Sequence, residues 1–116
     1  MKNKNVLVIG DSILDETNIC SVIGMSLESP TMKTKLQSSV MSFGGASNVV
    51  GNLLQLGATV NYVTTVGNDK YNKIYKDWNN KNLNLFSIPV DRENTVKSRY
   101  WIDRKVMYKY LQVNSG

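Results

Sequence analysis

The sequence predicts an α/β fold built on a parallel sheet, and the order of its first segments is the reason. Val6–Ile9 is a short apolar run, rich in β-branched residues, that stops at Gly10, as a strand buried on both faces would. Helical spacing of apolar residues follows at 46–57, and a β-rich segment at 61–67 comes next. A strand, helix, strand succession makes a parallel sheet, because the helix supplies the crossover.

The helix at 46–57 is preceded by Gly44 and Gly45, and Gly57 lies where a left-handed cap would end it. A second helix is predicted further along, with an aromatic stripe that we expect to pack in the core. The apolar residues of the two helices, each set at i, i+3, i+4, i+7 spacing, are Ala46, Val49, Val50, Leu53 and Leu54 in the first and Tyr71, Ile74, Tyr75 and Trp78 in the second.

Four further strands are predicted from alternation and β-rich composition. Residues 32–43 alternate weakly, and residues 83–90 complete the sheet. From Thr95 onward apolar and polar residues alternate up to a polar turn at 103–105, and strand-like residues continue to Val113. We therefore expect a β-hairpin appended to the α/β core.

Length and composition bound the function. The chain has 116 residues and 13.0 kDa, with 41% hydrophobic and 20% charged residues, which fits one small folded domain or part of a larger one. Cys20 is the single cysteine and histidine is absent, which excludes an internal disulfide, Ser-His-Asp and Cys-His catalysis, and His-ligated zinc. No apolar run is long enough for a membrane span or secretory leader, so we expect a cytoplasmic protein. So few core strands would leave a long edge uncovered, so we also expect the chain to be incomplete.

The net charge of +5 comes entirely from residues 59–116, which hold ten Lys or Arg against five Asp or Glu. The electric field of this positive charge favours anionic partners, either phosphorylated metabolites or nucleic acid. A compositional bias toward Asn and Lys, on solvated faces, explains it equally well.

Local motifs leave several interpretations open. Gly10-Asp11-Ser12 resembles the nucleophile block of a serine hydrolase, but no histidine base exists for Ser12. Neither a G-x-x-x-x-G-K-[ST] loop nor a G-x-G-x-x-G after the first strand occurs. Gly44 and Gly45 at a helix start suit close approach of a ligand, and Asn48 can bond hydroxyls, although a tight turn with a capping Asn is the simpler interpretation. Asp15 is expected in the loop after the first strand. There its carboxylate could accept a hydrogen bond from a polyol ligand or be merely solvated.

The segment Gly44-Gly45-Ala46-Ser47-Asn48-Val49-Val50, followed by Gly57 and Gly67, resembles the first signature of the ribokinase-like (PfkB) carbohydrate kinases. Val50 departs, since the family usually has a small residue there. Further blocks resemble the heptose 7-phosphate kinase branch: Val8–Asp15 matches V-x-G-D-x-x-L-D, Ser26–Pro30 matches S-x-E-x-P, and Thr95–Arg99 matches T-x-x-K-x-R.

The resemblance implies a three-layer α/β/α sandwich, of which residues 1–116 are the amino-terminal part of a single kinase domain, with lid strands at about 32–43 and 95–113. It implies ATP- and Mg²⁺-dependent phosphorylation of a sugar phosphate, a heptose 7-phosphate at its anomeric hydroxyl, as a step toward ADP-heptose and lipopolysaccharide. Carried over by position, Asp15, Gly44, Gly45 and Asn48 hold sugar hydroxyls. Lys97 and Arg99 meet the substrate phosphate.

Two departures limit the resemblance. The family's G-A-G-D segment, with the catalytic Asp and the residues for adenine and Mg²⁺, is absent from the 116 residues. We therefore expect no catalytic, cofactor-binding or metal-binding residue in this chain and no phosphoryl transfer by it alone. Lys105–Lys109 replaces the branch's Q-Q-L-x-R run, which leaves the sugar open.

The alternative is a non-catalytic sugar-phosphate binding or dimerisation module left from a truncated kinase. We expect a homodimer through the β lid, because an exposed hairpin can pair edge to edge. A nucleic-acid binder, resting only on the charge and the aromatic hairpin, is a weaker third hypothesis.

Overall fold

The computed structural model describes residues 2–25, 31–104 and 109–115 of the chain. The predicted blocks at 26–30 and 105–108 lie outside these residues. In chain order the described elements are β1 (Asn5–Ile9), β2 (Ser12–Met25), β3 (Met32–Gly44), α1 (Gly45–Gln55), β4 (Thr59–Val66), α2 (Asn72–Lys76), β5 (Leu83–Pro89), β6 (Thr95–Arg104) and β7 (Lys109–Ser115). They form two compact units, residues 1–14 with 43–95 and residues 15–42 with 96–116.

The first unit is a parallel sheet in the order β1-β4-β5, as the sequence predicts. Its register places Val8 beside Tyr62 and Tyr62 beside Leu85. Helix α1 packs on this face, and the fully buried core consists of Val50, Ala58, Val60 and Tyr62. Gly57 adopts φ 89°, so the predicted left-handed cap is confirmed.

The prediction that β1 is buried on both faces is wrong. Leu7 and Ile9 are 62% and 72% exposed, whereas Val6 and Val8 pack against the core. Phe86 and Ile88 of β5 are exposed on the same side as Leu7 and Ile9, according to the strand register. Among the residues that the structure describes, α1 covers one face of this sheet and no helix covers the other.

The second helix is shorter than its periodicity predicts. α2 spans only Asn72–Lys76, because Asp77 caps it and two Asn residues, poor helix formers, follow Trp78. Its aromatic stripe is nevertheless core: Tyr75 is 2% exposed, and the Trp78 ring stacks on Phe43 with centroids 4.1 Å apart.

The second unit is a four-stranded sheet in the order β3-β2-β6-β7. β6 and β7 are antiparallel, with Trp101 opposite Gln112, so the predicted hairpin pairing is confirmed. β2 is not among the predicted strands, because polar residues occupy its buried positions: Asn18 is 4% exposed, close to the 6% of Cys20 two residues later. The Asn18 amide is satisfied within the strand, since its Nδ2 donates to Glu16 Oε1 at 2.9 Å.

No helix in the described part of the chain is long and apolar enough to cross a membrane.

The loop before β6 lies directly on the end of β4, and Gly67 makes this contact possible. A Cβ at Gly67 would lie 2.5 Å from the carbonyl oxygen of Arg92 and 2.6 Å from the backbone nitrogen of Asn94. The loop is also bonded there, because Asn68 N donates to Arg92 O and Gly67 N to Asn94 Oδ1. Backbone atoms cannot swing away as a flexible side chain could, so only glycine fits.

We expect Gly67→Ala to lower the free energy of unfolding by about 2 kcal/mol or more, through overpacking against backbone. Gly51→Ala is the matched control, because a Cβ at Gly51 meets nothing within 4 Å. That change should raise stability by about 0.5–1 kcal/mol through helix propensity. Urea denaturation of both variants measures the difference, and equal effects would contradict the assigned contact.

Candidate functional site

The start of α1 lies against the loop that follows β1, at the carboxyl ends of the parallel strands. Ala46 N donates to the backbone carbonyl of Asp11 at 3.2 Å, and Gly10 N donates to Val63 O at 3.3 Å. A Cβ at Gly10 would lie 2.8 Å from the Cβ of Ala46, so glycine is needed for this approach. Ligands of α/β proteins commonly bind at this edge of a sheet.

Three of the residues predicted to hold sugar hydroxyls come together here. Gly44 is the N-cap of α1, Gly45 adopts the left-handed φ of 54°, and Asn48 is exposed on the first turn. A Cβ at Gly45 would also lie 3.0 Å from Ile13 Cδ1, so both conformation and space require glycine. No side chain caps α1, so the simpler interpretation of Asn48 as a capping residue is wrong.

The other three predicted residues belong to the second unit. Asp15 is half-buried on β2, not in a loop, because only Gly10 and Asp11 separate β1 from β2. Lys97 is exposed and Arg99 half-buried on β6. Side chains two residues apart on a strand share a face, so Lys97 and Arg99 form a cationic pair.

The opposite face of that sheet carries a hydrogen bond between neighbouring strands. Ser98 Oγ donates to Glu16 Oε1 at 3.1 Å. Alternation along β2 and β6 therefore puts Asp15 on the same face as Lys97 and Arg99. This face therefore carries one carboxylate and two cations. The carboxylate can accept hydrogen bonds from hydroxyls, and the cations suit a phosphate.

A polar pocket of about 180 Å³ lies in the first unit, beside the start of α1. Ser12 Oγ donates to the carbonyl of Thr65 at 2.7 Å, and Arg92 Nη2 donates to Thr65 Oγ1 at 3.3 Å. Sequence reasoning did not single out Arg92. Its loop is placed by Gly67, which the sequence marks as a glycine after a strand and as part of the signature resemblance, but not as a contact of this loop. The residues that line the pocket are Asp11, Ser12, Ile13, Thr65, Gly67, Arg92, Glu93, Asn94 and Thr95.

Asp69 anchors the loop that leads into β6. Its carboxylate accepts from Asn94 Nδ2 at 2.6 Å and from the backbone nitrogens of Asn94 and Tyr71 at 2.8 and 2.9 Å. Burial raises the pKa of Asp69, but these hydrogen bonds and the charge of Lys70 outweigh it, so the pKa lies below its ordinary value. The carboxylate therefore remains ionised and bonded at neutral pH.

A group of hydroxyls is buried behind the first turn of α1. Ser47 Oγ and Tyr62 Oη are 2.9 Å apart and share a hydrogen bond. The hydroxyl of Tyr75 is buried nearby, and no described residue accepts its proton or donates to it in hydrogen-bonding geometry. Burial raises the pKa of Tyr75, so its hydroxyl remains neutral at neutral pH.

The chain resembles proteins named bifunctional protein HldE. The protein of Campylobacter concisus is 36% identical over 101 residues, 84% of this chain and 21% of its own length. That of Nitratiruptor is 33% identical over 96 residues, 81% of this chain and 21% of its own length. The chain thus spans about a fifth of the length of these curated relatives. No protein-family profile matches it.

Solved structures show the same fold. Phosphofructokinase-2 of Escherichia coli, solved with fructose-6-phosphate, has a TM-score of 0.62 at 15% identity, over 97% of this chain and 35% of its own. A Staphylococcus aureus protein described as a phosphofructokinase has a TM-score of 0.65 at 13% identity, over 96% of this chain and 33% of its own length. The predicted ribokinase-like fold is confirmed.

We expect Tyr62→Phe and Tyr75→Phe to differ, although each removes one buried hydroxyl. Tyr62→Phe removes the hydrogen-bond partner of the Ser47 hydroxyl, and Ser47 is 0% exposed. The free energy of unfolding should therefore fall by about 1–3 kcal/mol. Tyr75→Phe removes a hydroxyl without a described partner and should leave stability unchanged or higher. Thermal and urea unfolding of the two variants measure this; equal losses would contradict the assigned hydrogen bond.

Proposed function

We propose that this chain, a homologue of the bifunctional HldE proteins with the ribokinase-like fold, is the sugar-binding portion of an ATP-dependent carbohydrate kinase. Its substrate in this proposal is a sugar phosphate, a heptose 7-phosphate that receives the phosphoryl group on its anomeric hydroxyl. The observation that carries the proposal is the start of α1. Gly45 is exposed there in a left-handed conformation, and Asn48 is exposed on the same turn without serving as a cap.

Sugar recognition follows from the chemistry of these groups. An amide side chain can donate to one hydroxyl and accept from another, so Asn48 fits a vicinal diol. Gly45 carries no side chain on this exposed turn, so a sugar ring can approach its backbone closely. In the second unit, Asp15 offers a carboxylate that can accept a hydrogen bond from a hydroxyl. Lys97 and Arg99 on the same strand face supply the charge that a phosphorylated sugar requires, and a guanidinium can bind a phosphate through two hydrogen bonds.

The phosphoryl transfer itself requires groups beyond those described. In this proposal ATP and Mg²⁺ bind to parts of the enzyme outside the 116 residues, which carry no G-A-G-D segment. Mg²⁺ neutralises charge on the transferred phosphoryl group when it is bound. The residues of this chain bind the sugar and fix its orientation, which lowers the entropic part of the barrier.

The binding assignment can be tested with two asparagines of one helix. Asn48→Ala should weaken binding of a heptose 7-phosphate by about 1–3 kcal/mol, because a sugar hydroxyl loses its partner. Asn52→Ala is the control, since Asn52 is also exposed on α1, one turn further along. Isothermal titration calorimetry of the chain and both variants measures the effect.

An equal change in the two variants would contradict the site. Absence of binding by the unmodified chain, across heptose and hexose phosphates, would contradict the proposed function.

We also propose that the second unit forms a homodimer. β3 lies at one end of the described four-stranded sheet and is exposed along nearly its whole length. Leu36 and Val40 are 55% and 63% exposed on one face of β3. Unpaired edge strands with exposed apolar residues favour pairing with another chain. The E. coli phosphofructokinase-2 has been solved in a tetrameric inhibited form, which supports self-association in proteins of this fold.

Light scattering after size exclusion should give the mass of a dimer for the unmodified chain and of a monomer for Val40→Lys, because a charge on an edge strand opposes pairing. Val49→Lys places the same charge on an exposed valine of α1 and should remain dimeric. A monomeric unmodified chain, or dissociation by both variants, would contradict this interface.

A further inference from the structure

The polar pocket beside α1 contains three charged residues that the proposed function does not use. Asp11 and Glu93 carry carboxylates, Arg92 carries a guanidinium, and all three line the pocket. Their sum is one net negative charge. The two cations assigned to the substrate phosphate, Lys97 and Arg99, do not line it.

The polar groups of the pocket are held in place before any ligand binds. The Arg92 carbonyl accepts from Asn68 N at 2.6 Å, and its guanidinium donates to Thr65 Oγ1 at 3.3 Å. Gly67 and Asn94 fix the remainder of the loop, through the contact and hydrogen bond described above. On the other side, Asp11 is tied to α1 through its carbonyl, which leaves its carboxylate exposed. Preorganised donors and acceptors bind at a lower entropic cost than mobile ones.

We propose that this pocket binds an uncharged, hydroxyl-bearing part of the sugar, and that Asp11 and Arg92 determine which sugar is accepted. The Asp11 carboxylate accepts a hydrogen bond from one hydroxyl, and the Arg92 guanidinium donates to the oxygen of another. This inference rests on the proposed function, and it adds residues that the sequence did not predict for the site.

Charge decides between a hydroxyl and a phosphate as the occupant. A phosphate monoester carries a charge of about −1.5 to −2 at neutral pH. The net negative charge of the pocket would repel it, and the second carboxylate offsets the attraction of Arg92. Neutral hydroxyls pay no such penalty and match a carboxylate beside a guanidinium.

Asp11→Asn gives opposite results for the two occupants. If the pocket binds hydroxyls, the variant loses a charged acceptor and affinity for a heptose 7-phosphate falls about tenfold. If the pocket binds the phosphate, the variant loses a repulsive charge and affinity rises. Arg92→Gln should weaken binding of the heptose 7-phosphate, and Asp91→Asn is the matched control, since this exposed carboxylate next to Arg92 does not line the pocket.

The measurement is calorimetric titration of the 116-residue chain with a heptose 7-phosphate and with a hexose 6-phosphate, with thermal unfolding to verify that each variant is folded. Weaker binding by the Asp11 and Arg92 variants, with Asp91→Asn unchanged and the ratio of affinities for the two sugars altered, is the expected result. Unchanged or tighter binding by Asp11→Asn, while the unmodified chain binds sugar phosphate, overturns this inference and leaves the proposed function standing. Failure of the unmodified chain to bind either sugar phosphate overturns both.

Discussion

Close approach of backbone to backbone, at positions where no side chain fits, is the constraint on which the first unit depends. At one place the start of α1 meets the loop after β1, through Gly10, Gly45 and the hydrogen bond to the Asp11 carbonyl. At the other, the loop before β6 lies on Gly67. Both contacts lie at the carboxyl edge of the parallel sheet. They bring together polar groups that are far apart in sequence.

The parts of the fold that could be predicted are those encoded locally. Apolar spacing and a terminal glycine define α1. β-rich runs define β1, β4 and β5, and the first two end next to a glycine. β2 escaped prediction because Asn18 is buried and satisfied by Glu16, so polarity gives no sign of its burial. The burial of β1 was overestimated because an apolar run records the composition of a strand, and not which of its faces this part of the chain covers.

The candidate site divides in the same way. Gly44, Gly45 and Asn48 are contiguous, so a motif can reveal them. Asp11 belongs to the V-x-G-D-x-x-L-D match, but Arg92 and Asn94 are brought to the same pocket only by folding. Each of these two residues alone looks like a solvated loop residue. The chemistry of the second set emerges only when the loop is placed on β4.

The burial of Cys20 makes its labelling rate a measure of how often the second unit opens. Cys20 is the only cysteine of the chain and is 6% exposed on β2. It is therefore shielded from thiol reagents while the four-stranded sheet is intact. A thiol reacts as the exposed thiolate, so modification of Cys20 requires local opening of that strand. The rate of labelling therefore reports how often this unit opens, separately from the parallel sheet, whose described residues contain no thiol. A ligand that stabilises the intact sheet would slow the labelling of Cys20, and the slower rate would report the free energy that the ligand adds against local opening.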